Sequence, residues 1–328
     1  MEHIITSKDT IDYIYHAKGN IEEVVEKFLH TMPKLDRIFF SDGSFFDHYL
    51  AFSALKQRPD QQSYRLILSA DYFELCLKFL SRDSLVPVDN RGILLISQFL
   101  SNTEYWLRRK NHITPLLSNY YPKFEIFHNY RFVSQYDMLC MLSDAPVGTR
   151  PLKQAEITES AVRLLSKLGV TSDLPLVTVF PETNTLVPLP TELWSRVLRN
   201  IAAERSYQLL MITKDHSPLR KIFPNLQHYY PAPVEVLPLI ESSEAAIFAP
   251  SGAAHLAKIF STKLVITIAD FSEYPYAAVI GSGKVRADDT LSRYQEFYTS
   301  PQVNLKFRGA EDFEQISADV CNAIKRVT

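Results

Sequence analysis

Glycine is scarce in this sequence, with 9 in 328 residues, less than half of the usual ~7%. Few glycines leave few glycine-rich phosphate loops, and neither G-x-x-x-x-G-K-[ST] nor G-x-G-x-x-G occurs. The sequence therefore argues against a P-loop kinase and a nicotinamide dehydrogenase. G-x-S-x-G is also missing, which argues against a serine hydrolase.

Cysteine and net charge are low as well. Cys76, Cys140 and Cys321 are far apart and form no C-x-x-C pair, so a disulfide scaffold and a cysteine zinc site are disfavoured. The scattered histidines form no H-E-x-x-H, and we expect no metal site. The net charge of −2 disfavours a strongly basic nucleic-acid binder.

Long apolar runs are missing too. No run approaches the roughly 18 apolar residues of a transmembrane helix, and the first ten residues contain no apolar signal core. We therefore expect a protein of the reducing cytoplasm.

Short apolar runs alternate with helical patterns along most of the chain. The predicted strands are 37–42, 64–70, 92–97, 124–132, 176–180, 207–213, 245–250 and 263–270. The predicted helices are 21–32, 47–56, 72–80, 135–142, 159–168, 190–204, 234–242, 252–260 and 310–326. Continuous apolar strands separated by helices predict parallel sheets covered on both faces.

A proline- and glycine-containing break at 144–154 divides this pattern. We predict an α/β protein of two Rossmann-like domains, 1–150 and 151–328, whose parallel sheets face an interdomain cleft. Whether the C-terminal helix packs back on the first domain stays open. Ligands of open α/β sheets lie outside the carboxyl ends of the strands, so candidate residues are sought there.

The first strand-to-helix junction spans residues 38–56. Its loop contains Gly43 and Ser44, and Asp47 opens the following helix. Asp47 is therefore a candidate for chemistry at the mouth of the predicted cleft. An Asp at a helix N-terminus also caps free backbone N–H groups, and this alternative stays open.

The second junction follows the strand that ends at Pro250. The helix after it opens with Ser251, Gly252, Ala253, Ala254 and His255. Small residues allow a ligand to approach the backbone, and the free N–H groups of a helix start favour an anion such as pyrophosphate. The alternatives are an ordinary serine cap and an ordinary surface or core histidine.

Three further polar groups are candidates. Lys214 and Asp215 follow one C-terminal strand, and Thr183 and Asn184 follow another. At these strand ends they are candidates to contact a nucleotide; the alternative is a polar turn. Arg108, Arg109 and Lys110 form the most basic run of the first half. This run suits an anionic acceptor or the cytoplasmic face of the inner membrane; the alternative is a solvated helix end.

Together the two junctions resemble the lipopolysaccharide heptosyltransferases, a family of two-domain GT-B glycosyltransferases of family 9 type. The family loop G-x-x-G-D corresponds to residues 43–47 (GSFFD), and its helix end P-A-L-(R/K) to residues 53–56 (SALK). The family motif D-(T/S)-G-x-x-H-L-A corresponds to residues 250–257 (PSGAAHLA). The family pattern W-x-x-(L/V) is matched by Trp194 and Val197.

Three positions depart from the family pattern. Phe46 stands at the second loop glycine, Pro250 at the aspartate, and Val187 at a lysine that helps to hold donor phosphate. Lys214, Lys263 and Lys284 are candidates to replace that lysine.

The resemblance implies an inverting, metal-independent glycosyltransferase without a cofactor. Asp47 matches the family's general base, Gly43 and Ser44 fall on the acceptor side, and residues 251–255 match the donor phosphate site. The substrates implied are a nucleotide-diphosphate sugar and a bacterial surface glycan or glycolipid: lipooligosaccharide, O-antigen or capsule. No D-x-D triplet is present, which fits metal-independent transfer. The alternatives are a catalytically silent GT-B-like partner subunit and a sugar-nucleotide epimerase or hydrolase.

Overall fold

The computed structural model describes residues 37–59, 64–102, 113–116, 134–170, 173–183, 188–204, 206–270, 273–275, 284–286 and 294–327. The chain divides into two compact units, Met1–Ala155 and Glu156–Thr328. This division falls a few residues after the boundary at 150 that the sequence predicts. The predicted helix 21–32 and the predicted strand 124–132 lie outside the described residues.

The first unit contains a four-stranded parallel sheet. Its strands are β1 (Arg37–Ser41), β2 (Tyr64–Ser69), β3 (Leu85–Val88) and β4 (Ile113–Pro115). Its helices are α1 (Phe45–Lys56), α2 (Phe73–Cys76), α3 (Asn90–Asn102) and α4 (Gln135–Leu142), with 3-10 turns at Ala70–Tyr72 and Arg82–Ser84. The strand order is β3-β2-β1-β4, with every pair parallel.

Helix α1 is buried on nearly all sides, because its sequence FFDHYLAFSALK carries apolar residues around its whole circumference. The segment that we predicted as a linker is fixed on this helix. The backbone N–H of Leu152 donates to Ser53 Oγ at 2.6 Å, and that of Gln154 donates to Tyr49 Oη at 2.7 Å. This stretch of residues 144–154 is therefore part of the first unit.

One predicted strand is wrong. Residues 92–97 lie inside α3, where Ile93, Ile96 and Leu100 turn one face into the core. A short apolar run does not distinguish a strand from a buried helix by periodicity alone. The third strand is instead β3, whose sequence LVPV contains a proline; β3 lies at the sheet edge, where proline is tolerated. The helix predicted at 72–80 is shorter in the structure, where α2 covers only Phe73–Cys76.

The second unit contains a six-stranded parallel sheet. Its strands are β5 (Leu176–Phe180), β6 (Gln208–Ile212), β7 (Gln227–Tyr229), β8 (Ala245–Phe248), β9 (Leu264–Asp270) and β12 (Gln302–Phe307), and the short pair β10 (Glu273–Pro275) and β11 (Lys284–Arg286) is antiparallel. Its helices are α5 (Ile157–Leu168), α6 (Thr191–Ala203), α7 (Pro218–Ile222), α8 (Val236–Glu241), α9 (Gly252–Phe260) and α10 (Phe313–Lys325), with 3-10 turns at Pro233–Glu235, Gln295–Phe297 and Ala310–Asp312. The order is β12-β9-β8-β5-β6-β7.

The C-terminal helix α10 packs within the second unit. Its apolar face, with Phe313, Ile316 and Val320, joins the core that contains Trp194 of α6 and Phe307 of β12. Among the described elements, α10 makes its most extensive contacts with α6 and β12, and it also contacts β9. Strands β7 and β12 were not predicted. β7 has only three residues, and β12 alternates between exposed and half-buried residues at the sheet edge.

Candidate functional site

Asp47 lies in the first turn of α1, directly after the carboxyl end of β1. Its Oδ2 accepts hydrogen bonds from the backbone N–H of Ser44 at 2.9 Å and from Ser44 Oγ at 2.7 Å. Ser44 is the residue before the helix, so this is the carboxylate half of a capping box. The capping role is therefore present. It is compatible with chemistry, because an ionised carboxylate offers about four lone-pair positions.

Gly43 is required by its closeness to Asp47. A Cβ at position 43 would lie 2.4 Å from Asp47 Cβ and 2.9 Å from Asp47 Oδ2. Any other residue would therefore displace the carboxylate or the loop. The loop glycine serves the placement of Asp47.

A buried histidine adjoins Asp47, and sequence reasoning missed it. His48 is 1% exposed, and its Nδ1 lies 2.7 Å from Ser41 Oγ. Its ring packs at a tilt of 35° against the ring of Tyr72, with 4.0 Å between centroids. Burial lowers the pKa of His48 to about 3, so the imidazole is neutral. Ser41 is equally buried, so the pair does not present a nucleophile to solvent. Together they join the end of β1 to the first turn of α1.

In the second unit, three adjacent strands of the sheet end at the same edge. The strands are β8, β5 and β6, and they are followed by Ser251, Thr183 and Lys214 respectively. Because the strands are parallel, their carboxyl ends form the ligand-binding edge of such a sheet. The pairing of β8 with β5 continues one residue beyond β8, because the backbone N–H of Ala249 donates to the carbonyl of Phe180 at 2.9 Å.

Ser251 caps α9, which is the alternative that the sequence left open. Its Oγ accepts from the backbone N–H of Ala254 at 3.3 Å. Ser251, Gly252 and Ala253 are half-buried, and their small side chains leave the backbone of the first turn approachable. The positive end of the helix dipole and its N–H groups suit an anion.

His255, in the first turn of α9, has a partner far along the chain. Its Nδ1 lies 2.8 Å from Tyr298 Oη, and the ring of Tyr294 meets it edge-on at 5.4 Å between centroids. His255 is half-buried. Sequence reasoning found the histidine but neither tyrosine.

Lys258 is a fully buried lysine on the same helix, three residues after His255. Its Nζ donates to Asn304 Oδ1 at 2.9 Å and lies 5.4 Å from the centroid of the Tyr298 ring. Burial lowers the pKa of Lys258 to about 8. This cation was not among those that the sequence proposed for the site.

The polar residues after β6 form a turn. The backbone N–H of Lys214 donates to Glu182 Oε2 at 3.3 Å, and Asp215 pairs with Arg220 at 3.2 Å. The Asp215 side chain is 95% exposed. The polar turn that we left as an alternative is therefore present, and it stands at the edge where Ser251 lies.

One candidate cation is at the wrong edge. Lys263 immediately precedes β9 and pairs with Glu244 at 3.2 Å, which immediately precedes β8. Both residues lie at the amino ends of the strands, opposite to Ser251, so Lys263 does not replace the missing phosphate lysine. Lys284 lies in β11.

The remaining predicted site residues lie outside the described part of the chain. These are Arg108, Arg109, Lys110, Asn184 and the departure at Val187. Within the described ranges, no group of three or more His, Cys, Asp or Glu side chains is arranged to hold a metal ion. In the same ranges no helix is long and apolar enough to cross a membrane.

Comparison with solved structures defines the class of fold as that of the heptosyltransferases, the GT-B type. The chain is similar to E. coli ADP-heptose lipopolysaccharide heptosyltransferase II (12% identity, TM-score 0.54), over 88% of this chain and 99% of that one. It is similar to E. coli heptosyltransferase WaaC with ADP (12%, 0.53), over 89% and 100%. A third is the iron-containing dodecameric glycosyltransferase TibC of enterotoxigenic E. coli H10407 (16%, 0.50), over 89% and 76%.

The sequence itself matches no protein-family model and no curated protein. At these identities the structural similarity establishes the fold. Activity has to be argued from the residues of the two sheet edges.

Proposed function

We propose that this chain is an inverting glycosyltransferase that moves a sugar from a nucleotide-diphosphate donor to a bacterial surface glycan or glycolipid. The single observation that carries the proposal is the pair of strand ends. Asp47 follows β1 of one sheet, and the small-residue start of α9 follows β8 of the other. Each stands where an open α/β sheet binds its ligand.

Asp47 is the general base of the proposed reaction. Its carboxylate takes the proton of an acceptor hydroxyl while the hydroxyl oxygen attacks the anomeric carbon of the donor sugar. The bond from that carbon to the phosphate oxygen breaks on the opposite face, and its electron pair leaves with the nucleoside diphosphate. One inversion follows, and the products are the glycosylated acceptor and the nucleoside diphosphate.

The N-terminal turn of α9 is the proposed binding site of the leaving group. Negative charge grows on the phosphate as the bond breaks, and backbone N–H groups aimed at that charge stabilise it more in the transition state than in the ground state. His255 adds a side-chain donor in the same turn. Lys214 and Thr183 adjoin this site along the sheet edge. We propose that the transfer uses no metal and no cofactor.

The acceptor side is proposed to lie at the loop of Gly43 and Ser44, with the basic run 108–110 toward an anionic acceptor or the inner membrane. The heptosyltransferases of similar fold include one with ADP, so an adenine nucleotide is the first donor to test. We place the protein in the cytoplasm, peripheral to the membrane.

A catalytically silent GT-B-like subunit is the second candidate, and one observation favours it. Asp47 caps its own helix through Ser44. A silent copy of the fold therefore keeps a structural reason to retain this aspartate.

A donor-binding panel tests the proposal. ADP, UDP, GDP and CDP are titrated calorimetrically with and without EDTA, and each sugar nucleotide is then screened by mass spectrometry for transfer. We expect one nucleotide to bind without metal and Ser251→Trp to weaken it at least 10-fold. Ser134→Trp is the matched control, because Ser134 caps α4 of the other unit through an equivalent bond at 3.0 Å. Loss of all binding in EDTA overturns the metal-free mechanism, and the absence of nucleotide binding overturns the transferase.

A further inference from the structure

The loop that carries Asp47 is closed at its base by one buried hydrogen bond. Ser41 is the last residue of β1, and His48 lies in the first turn of α1. Ser41 Oγ and His48 Nδ1 are 2.7 Å apart, and each residue is 1% exposed. The pair therefore encloses residues 42–47, and a single peptide bond joins Asp47 to His48.

Burial gives the Ser41–His48 bond its effect on the backbone. Whichever of the two groups donates, separating them would leave buried polar atoms without this bond, which is costly away from water. The first turn of α1 therefore has one favourable position relative to the end of β1. An exposed pair would not impose this, because water would replace either partner.

Tyr72 adds a second contact to His48. It lies in the 3-10 turn that follows β2, the parallel neighbour of β1. Its ring centroid is 4.0 Å from that of His48, whereas the ring of Phe52, on α1 itself, is at 5.8 Å. His48 is thus attached both to the end of β1 and to the turn after β2.

The enclosed loop transmits the position of His48 to Asp47. The backbone N–H of His48 donates to the carbonyl of Ser44 at 3.0 Å, and Ser44 donates twice to Asp47 Oδ2. The backbone at Gly43 is so close to Asp47 that a Cβ there would lie 2.4 Å from Asp47 Cβ. A shift of the first turn of α1 therefore also moves the carboxylate.

We propose that Ser41 and His48 are positioning residues for Asp47, because their buried bond fixes the first turn of α1 and with it the carboxylate that accepts the proton of the acceptor hydroxyl. This inference rests on the proposed function for the role of Asp47. The fixing of the loop does not depend on it. Neither residue contacts the substrates, so both act through the placement of Asp47.

Hydrogen exchange tests the fixing of the loop without substrate. Exchange of the Ser44 and His48 amides is followed at pH 7 in the wild type, in Ser41→Ala and in His48→Phe, which keeps a ring against Tyr72 but has no nitrogen. We expect both variants to exchange these amides at least about 10-fold faster, because local opening is easier. Exchange at the wild-type rate in both folded variants overturns the inference.

Ser317→Ala is the matched control for the exchange measurement. Ser317 is also fully buried, and its hydroxyl accepts from Asn200 Nδ2 at 2.8 Å in the second unit. The variant therefore loses a buried serine hydrogen bond of similar length far along the chain from Asp47. The Ser44 and His48 amides should exchange in it as in the wild type.

A double-mutant cycle tests the positioning role. With the donor and acceptor that the transfer screen identifies, Ser41→Ala should lower kcat about 10- to 100-fold, as expected for a misplaced catalytic group. The affinity for the tightest nucleoside diphosphate of the panel should be unchanged. In the Asp47→Asn background, Ser41→Ala should lower the residual rate by less than about 3-fold, because residues that act as a unit are not additive.

A conservative variant provides the rescue. His48→Asn keeps a polar side-chain atom near the position of Nδ1, so its kcat should exceed that of His48→Phe. If Ser41→Ala costs Asp47→Asn as much rate as it costs the wild type, the pair acts on stability alone and the positioning role fails. If the wild type transfers no sugar, the proposed function fails while the exchange result still decides whether the pair fixes the loop.

Discussion

Ser44 directs both its backbone N–H and its hydroxyl at a single oxygen, Oδ2 of Asp47. The residue that the proposed mechanism uses as a base is therefore also the carboxylate partner in the capping box of α1. Any experiment on Asp47 changes both roles unless the substitution keeps one of them. The choice of substitution decides what the experiment measures.

Asp47→Asn separates the two roles. The amide keeps an acceptor oxygen for the Ser44 N–H, so we expect the free energy of unfolding to fall by less than about 1 kcal/mol. It cannot take a proton, so turnover should fall about 10²- to 10⁴-fold, with nucleotide affinity unchanged. Asp47→Ala is the comparison, since it removes cap and base together. Initial rates and chemical denaturation measure both effects. Full turnover in a folded Asn variant would leave Asp47 as a cap alone.

Gly43→Ala should damage the same carboxylate without touching it chemically. The added methyl meets Asp47 Cβ at 2.4 Å, so Asp47 must move and turnover should fall at least 10-fold. Gly169→Ala is the contrasting variant: its φ of 65° strains an alanine, yet no atom lies within 4 Å. It should lose about 1 kcal/mol of stability and keep wild-type turnover. Equal turnover in the two variants would contradict the steric role of Gly43.

The sequence predicts the parts of the fold that have buried, continuous strands. Strands β1, β2, β5, β6, β8 and β9 are recovered, because each is an apolar run between helical patterns. The edge strands β3 and β7 are not predicted, because β3 contains a proline and β7 has only three residues. Residues 92–97 are misassigned because an apolar run of this length fits a buried helix equally well.

The candidate site is predictable only where it is local in sequence. Asp47 and Ser251 lie at junctions between a strand and the next helix. The end of a strand followed by the start of a helix can be recognised from the sequence pattern. His48, Tyr298 and Lys258 were missed because their partners are set by the tertiary structure. Tyr298 lies 43 residues from His255, and Asn304 lies 46 residues from Lys258. No spacing rule connects positions so far apart.

The buried His48 should make the protein sensitive to acid. Its pKa is lowered to about 3 in the fold against 6.5 unfolded, so between these pH values only the unfolded chain takes up the proton. Stability is therefore retained above pH 6.5 and lost as the pH falls toward 3, by up to about 5 kcal/mol.

Chemical denaturation at pH 7, 6, 5 and 4 measures this loss. His48→Asn offers Ser41 a neutral partner and should flatten the pH dependence, even where its stability at pH 7 is lower. His216→Asn changes an exposed histidine and should follow the wild type. A wild-type slope in His48→Asn would assign the acid sensitivity to other groups.

Lys258 should act at the opposite end of the pH scale. Its pKa is about 8 in the fold against 10.5 unfolded, so between these values the unfolded chain binds the extra proton. Stability therefore rises with pH across this window, by an amount on the order of 3 kcal/mol. Lys258→Met keeps an unbranched side chain of similar length and removes the charge. The unfolding free energy of the wild type should therefore rise relative to that of this variant from pH 7.5 to 10. Lys263→Met, at the other edge of the sheet, should show a constant difference. A constant difference for Lys258→Met as well would mean that the buried ammonium keeps its charge throughout, and that its environment is more polar than its burial and its bond to Asn304 indicate.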